Sequence, residues 1–88
     1  MVESADAFAE RRRRLNEIVV DHADLPVKRF FALDRDVYAD GALPAKTKQL
    51  LGLVASTVLR CDDCIRHHLA EATATGATEP EIAEALGI

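Results

Sequence analysis

Three residues of this 88-residue chain have the types and spacing for thiol chemistry: Cys61, Cys64 and His68, within Arg60-Cys61-Asp62-Asp63-Cys64-Ile65-Arg66-His67-His68. On a helix advancing about 100° per residue they fall at about 0°, 300° and 340°, so two thiols and one imidazole share a narrow stripe. Cys64 and His68 form an i,i+4 pair whose side chains can touch. Cys61 and Cys64 form an i,i+3 pair, close enough for a disulfide if the helix end permits it. The thiolate is the reactive form of cysteine, and a helix N-terminus or a neighbouring imidazole favours it. Arg60 and Arg66 add positive potential, and Asp62 and Asp63 oppose it. These residues alone leave the attacking sulfur open: Cys61 is nearer the helix start, Cys64 is nearer His68. His67 projects about 100° from the stripe and reads as a surface residue.

Two other chemistries fit the same residues. Two cysteines and a histidine could take Zn²⁺ with one position open, but zinc ligands usually come from two separate elements. The only further candidate is His22, which sits on an apolar stripe and reads as a satisfied core or interface histidine. Alternatively the cysteines are packed as small hydrophobes. No Gly-rich phosphate loop is present, so no nucleotide cofactor is expected, and none of any other kind.

The elements that must position the motif read as helices. Ser4 is a good N-cap for a first helix carrying Phe8, Leu15, Ile18, Val19 and His22 on one stripe. Asp24 caps a second, with Pro26 in its first turn and Val27, Phe30, Phe31, Leu33, Val37 and Tyr38 continuing to about Gly41, an expected stop. Pro44 opens a third helix, Ala45 to about Leu59, apolar almost all round and so expected to be buried on most sides. A fourth runs from about Cys61 to Thr75 and stops at Gly76. Thr78-Glu79-Pro80-Glu81 has capping-box spacing for a fifth, whose apolar face is Ile82, Ala85 and Leu86. The expected fold is therefore all-α, one small domain of about five helices spanning residues 1–88.

Composition narrows the partners. Hydrophobic residues make up 49% of the chain, enough to fold. A chain this short buries only about 60% of the surface its unfolded form exposes and needs added stabilisation. Cysteines three apart close too small a loop to help, so subunit association is expected. The net charge is −4, with 11 basic and 15 acidic side chains. Arg11–Arg14 are flanked by Glu3, Asp6, Glu10 and Glu17 as counter-charges, which makes them a solvated helix face rather than a nucleic-acid surface. The polar N-terminus lacks the basic and apolar regions of a signal peptide. The longest apolar stretch, Leu50–Leu59, is broken by Gly52, Ser56 and Thr57 and is too short to span a bilayer. The expected location is the cytoplasm, where a cysteine pair is more often catalytic or metal-binding than structural. The apolar end, Leu86-Gly87-Ile88, points to a truncated sequence or to a face closed by another chain.

Leu43-Pro44-Ala45-Lys46-Thr47-Lys48-Gln49-Leu50-Leu51-Gly52-Leu53 followed by Cys61 to His68 resembles the core of the carboxymuconolactone decarboxylase family, specifically its alkylhydroperoxidase D-like branch. Ala74 to Ile82 fits the turn and next helix of that domain, so the resemblance covers residues 43–88. It implies a homo-trimer or homo-hexamer of small helical subunits and a thiol-dependent peroxidase. In that cycle Cys64 attacks a hydroperoxide, Cys61 resolves the sulfenic acid to a disulfide, and His68 serves a proton relay. A dithiol protein, lipoyl- or thioredoxin-like, restores the thiols. Two departures stand out. The family relay has a glutamate twelve positions before the first cysteine, where this chain has Gln49, an amide that cannot act as a general base. The family domain also continues past the fifth helix. The lactone-decarboxylating branch lacks the cysteine pair, so that reaction is not expected. The alternatives to a peroxidase are a non-enzymatic helical oligomer with redox-sensing or structural thiols, and a metal-binding module using Cys61, Cys64 and His68.

Overall fold

The computed structural model describes residues 3–88, and these form five α-helices and no strand. They are α1 (Ala5–His22), α2 (Leu25–Val37), α3 (Ala45–Val58), α4 (Asp62–Ala74) and α5 (Glu79–Leu86). The chain divides into two compact units, the first ending at Val37 and the second running Tyr38–Ile88. Among the described residues no helix is long and apolar enough to cross a membrane.

In the first unit the caps are those the sequence predicts. Ser4 Oγ accepts from the Ala7 N–H at 3.1 Å, and Asp24 Oδ1 accepts from the Val27 N–H at 3.2 Å. The arginine run is held by its counter-charges. Arg11 pairs with Glu3 at 3.0 Å, and its guanidinium lies 5.3 Å from the Phe8 ring centroid. Arg13 bridges Glu10, at 2.7 Å, and Glu17. The hydrogen bond from Arg13, reinforced by its charge, lowers the Glu10 pKa. Phe8 is buried, whereas Leu15, Ile18 and Val19 on the same helix are exposed. His22 is exposed too, its Nδ1 2.9 Å from the Ile18 carbonyl oxygen, so this chain does not bury it in a core.

The second helix ends at Val37, short of Gly41. The residues between are used to anchor α3. The Ala39 carbonyl accepts from Lys48 Nζ at 2.6 Å, and Asp40 Oδ1 accepts from the Ala45 N–H at 2.7 Å. The second bond matters because Pro44, at the N-cap position, has no side-chain acceptor to offer.

Helix α3 is the centre of the second unit and packs against both α4 and α5. Its residues Gln49, Leu53 and Ser56 are buried, and they repeat at i, i+4 and i+7 along one face. Leu51, Val58 and Leu59 are exposed, so within this chain α3 is buried on one face rather than on most sides. Ala72 of α4 is fully buried, its small side chain allowing close approach at that point. Helix α5 begins in a complete capping box. Thr78 Oγ1 accepts from the Glu81 N–H at 3.2 Å, and Glu81 Oε1 accepts from the Thr78 N–H at 2.9 Å. Glu81 also ties α5 to α3 through Lys46 at 2.9 Å.

Candidate functional site

The cysteine motif sits where α3 hands over to α4. Leu59 ends α3, and Arg60 takes the left-handed conformation (φ 55°), the position that glycine usually fills at such an end. The Arg60 N–H then donates to the Thr57 carbonyl at 3.2 Å and the Cys61 N–H to the Ser56 carbonyl at 3.1 Å. This is the Schellman pattern, formed here without a glycine. The same pattern closes α4, where Gly76 (φ 96°) supplies the left-handed residue and Ala77 N–H donates to Ala72 at 2.9 Å.

The reversal makes Cys61 both the residue after one helix and the N-cap of the next. Its Sγ accepts from the Cys64 N–H at 3.3 Å. Cys61 and Cys64 are joined by a disulfide, with Cα atoms 5.2 Å apart. A first-turn N–H directed at Sγ would also favour a thiolate there once the bond is reduced. With the sulfurs bonded to each other, neither is a thiolate metal ligand. Among the described residues no group of three or more His, Cys, Asp or Glu side chains is arranged to hold a metal ion.

His68 lies one helical turn after Cys64, and α3 fixes its ring. Its Nδ1 is 2.8 Å from Gln49 Oε1. A carboxamide oxygen can only accept, so Nδ1 is the donor and carries the proton. Gln49 is 7% exposed, which leaves the pairing largely shielded from water. Gln49, which cannot act as a general base, therefore meets His68 through a neutral carboxamide.

Two residues that sequence reasoning did not assign to the site complete the seat. A Cβ on Gly52 would lie 2.8 Å from Nδ1 and Cε1 of His68 and 2.9 Å from the Tyr38 hydroxyl. Only glycine lets the imidazole approach α3 this closely. Tyr38 stacks on His68, with ring centroids 5.4 Å apart and planes 29° from parallel. The signal available for Gly52 was a lone glycine inside a helix, where it costs about 1 kcal/mol relative to alanine and asks for a packing reason. Tyr38 had no comparable signal.

His67 is half-buried rather than on the open surface, and its ring centroid is 5.1 Å from that of His68. Asp62 and Asp63 occupy the first turn of α4, where acidic side chains favour the helix dipole. His22 belongs to the first unit and is not among the residues gathered here.

A sequence model of the carboxymuconolactone decarboxylase family matches residues 24–88. An uncharacterised protein encoded in the cox locus of Paracoccus denitrificans is 42% identical over 59 residues, covering 67% of this chain and 53% of that protein. An uncharacterised protein of Cupriavidus necator is 39% identical over 49 residues, covering 56% of this chain and 43% of its own length. The chain therefore spans about half the length of these relatives. A crystal structure from Thermotoga maritima superposes with a TM-score of 0.86 at 59% identity, covering 91% of this chain and 70% of the other. A second Thermotoga maritima structure, TM-score 0.83 and 59% identity, covers 91% of this chain and 68% of the other. It is described as a member of the same family with a conjectured involvement in antioxidative response.

Proposed function

This chain belongs to the carboxymuconolactone decarboxylase family, and on that premise we propose that it is a thiol–disulfide oxidoreductase that reduces hydroperoxides through Cys61 and Cys64, assisted by His68. The observation that carries the reading is the Cys61–Cys64 bond at the start of α4, one turn before an imidazole that α3 holds in place. The conjectured antioxidative involvement of the Thermotoga maritima relative supports the same chemistry.

In the reduced protein the Cys64 thiolate attacks the distal peroxide oxygen. The O–O bond breaks, Cys64 becomes a sulfenic acid, and the alkoxide takes a proton to leave as alcohol. Cys61 then attacks the Cys64 sulfur, the S–O bond breaks, and water leaves as the disulfide forms. A dithiol carrier protein, lipoyl- or thioredoxin-like, gives two electrons to reopen it and is itself oxidised to a disulfide. The Cys64 N–H that meets Cys61 Sγ makes Cys61 the better thiolate leaving group, so carrier attack at Cys64 is the favoured direction. His68 passes protons to and from these sulfurs.

The test is thiol titration of the native protein before and after one equivalent of hydroperoxide. Loss of both thiols, restored by dithiothreitol and abolished in Cys64→Ser, is the expected result. Unchanged peroxide consumption by Cys64→Ser sinks the reading. A second reading, a non-enzymatic module whose thiols sense redox state, is favoured by one observation: Gln49 meets His68 without being able to take its proton. Sustained turnover with a dithiol donor rules that reading out.

A further inference from the structure

We propose that Tyr38 is a positioning residue for the redox site, its ring stacking on His68 beside Gly52 so that the imidazole keeps the Nδ1–H tautomer next to α3. Three contacts carry this. Gln49 Oε1 accepts at Nδ1 from 2.8 Å. The bare Gly52 backbone lets both rings lie against α3, since a Cβ there would be 2.8 Å from Nδ1 and 2.9 Å from the Tyr38 hydroxyl. Tyr38 covers the ring by stacking, at 5.4 Å between centroids and 29° between planes.

Each contact removes a different freedom. The carboxamide selects the tautomer, because an oxygen that only accepts requires a proton on Nδ1. It does not stop the ring from swinging about its own side-chain torsions. The stacked tyrosine opposes that swing, and the missing Cβ lets both rings settle against α3. Tyr38 precedes α3, and the anchoring of its neighbours fixes it: Lys48 holds the Ala39 carbonyl and Asp40 holds the Ala45 N–H. The turn from 38 to 43 is thus built to keep an aromatic ring over the histidine. Because Gln49 supplies no charge to attract an imidazolium, geometry has more of the positioning to do here than beside a glutamate. The assignment to proton transfer with Cys64 rests on the proposed peroxidase reading; the clamp itself does not.

The experiment compares Tyr38→Phe, Tyr38→Leu and Gly52→Ala with the unmodified chain, after circular dichroism has shown each to be folded. Nitrogen-15 NMR of the imidazole reads the tautomer, and stopped-flow thiol oxidation by hydroperoxide reads the chemistry. Tyr38→Phe keeps the ring and is expected to retain a single Nδ1–H signature and an oxidation rate within about twofold. Tyr38→Leu and Gly52→Ala are expected to give averaged nitrogen shifts and oxidation at least about tenfold slower, within the range that proton transfer contributes. Unchanged shifts in Tyr38→Leu overturn the proposal, as does a Tyr38→Phe variant that behaves like Tyr38→Leu. If Tyr38→Leu does not fold, the decision passes to Tyr38→Phe and Gly52→Ala. If the unmodified protein consumes no hydroperoxide, the peroxidase reading fails, while the nitrogen shifts still decide the clamp.

Discussion

Gln49 Oε1 lies 2.8 Å from His68 Nδ1, joining α3 to α4 through a neutral hydrogen bond. The amide fixes the direction of the bond but adds no charge to stabilise an imidazolium. Gln49→Glu would keep the acceptor and supply that charge. Thiol oxidation by hydroperoxide near neutral pH should then quicken by about tenfold or more, a fraction of what general acid–base catalysis can contribute. Stopped-flow traces of the two proteins side by side make the comparison, and identical rates would mean that His68 does not limit the step.

The parts of this fold that were legible in the sequence are those set by local chemistry. Ser4, Asp24 and Thr78 cap helices because an oxygen at the cap position meets an N–H two or three residues on, whatever the rest of the chain does. The cysteine–histidine stripe was legible for the same reason, since i,i+3 and i,i+4 spacing needs only a helix. Gly52 and Tyr38 were not, because their role appears only when α4 brings His68 onto α3. Arg60 was missed for a third reason: the left-handed turn that glycine marks at position 76 is made at 60 by a residue whose side chain disfavours it. The exposure of Leu51 and Val58 shows the limit of apolar pattern, which says that a face is available for burial and not which neighbour covers it.

The left-handed Arg60 offers a test of the turn that presents Cys61. Holding a non-glycine residue there costs about 1–2 kcal/mol, and glycine costs about 0.5–1 kcal/mol in unfolded-state entropy. Arg60→Gly should therefore stabilise the chain by up to about 1.5 kcal/mol. A β-branched substitution, Arg60→Val, should destabilise it, since such residues tolerate positive φ least. Urea unfolding of the oxidised protein measures both, and a lower midpoint for Arg60→Gly would show that the arginine side chain matters more than its backbone.

Glu81 gives the second unit a pH dependence of known sign. Its carboxylate accepts from the Thr78 N–H, and Lys46 and the Thr78 side chain add to the effect, bringing its pKa down from 4.5 to about 2. A depressed folded-state pKa adds stability that is fully present above the unfolded value and is lost as pH falls through the folded one. The docking of α5 should weaken between about pH 4.5 and 2, with no change from this group at neutral pH. Glu81→Gln keeps a capping-box acceptor, loses the Lys46 ion pair, and should flatten that acid dependence. Amide exchange within α5 across this interval reads the effect; an unaltered acid dependence in the variant would assign it to other carboxylates.

The apolar face of α2 makes the strongest statement about assembly. Val27, Phe30, Leu33 and Val37 follow helical spacing along one stripe, and all four are exposed, Phe30 at 68%. Single exposed apolar residues are ordinary in a folded protein, but a continuous stripe of them marks a surface that another apolar surface covers. A second copy of the chain is the expected partner, in keeping with the trimer or hexamer that the family resemblance implies. A stable interface needs about 800 Å² from each subunit, more than one helical stripe supplies, so other exposed apolar residues such as Leu15, Ile18 and Val19 of α1 are expected to contribute. Phe30→Glu would set a charge in the middle of the stripe and should turn an oligomer into monomers without loss of helix content. Sedimentation equilibrium of both proteins reads the outcome. A monomeric unmodified chain at every concentration, or an assembly that Phe30→Glu leaves whole, would place the association surface elsewhere or remove the need for one.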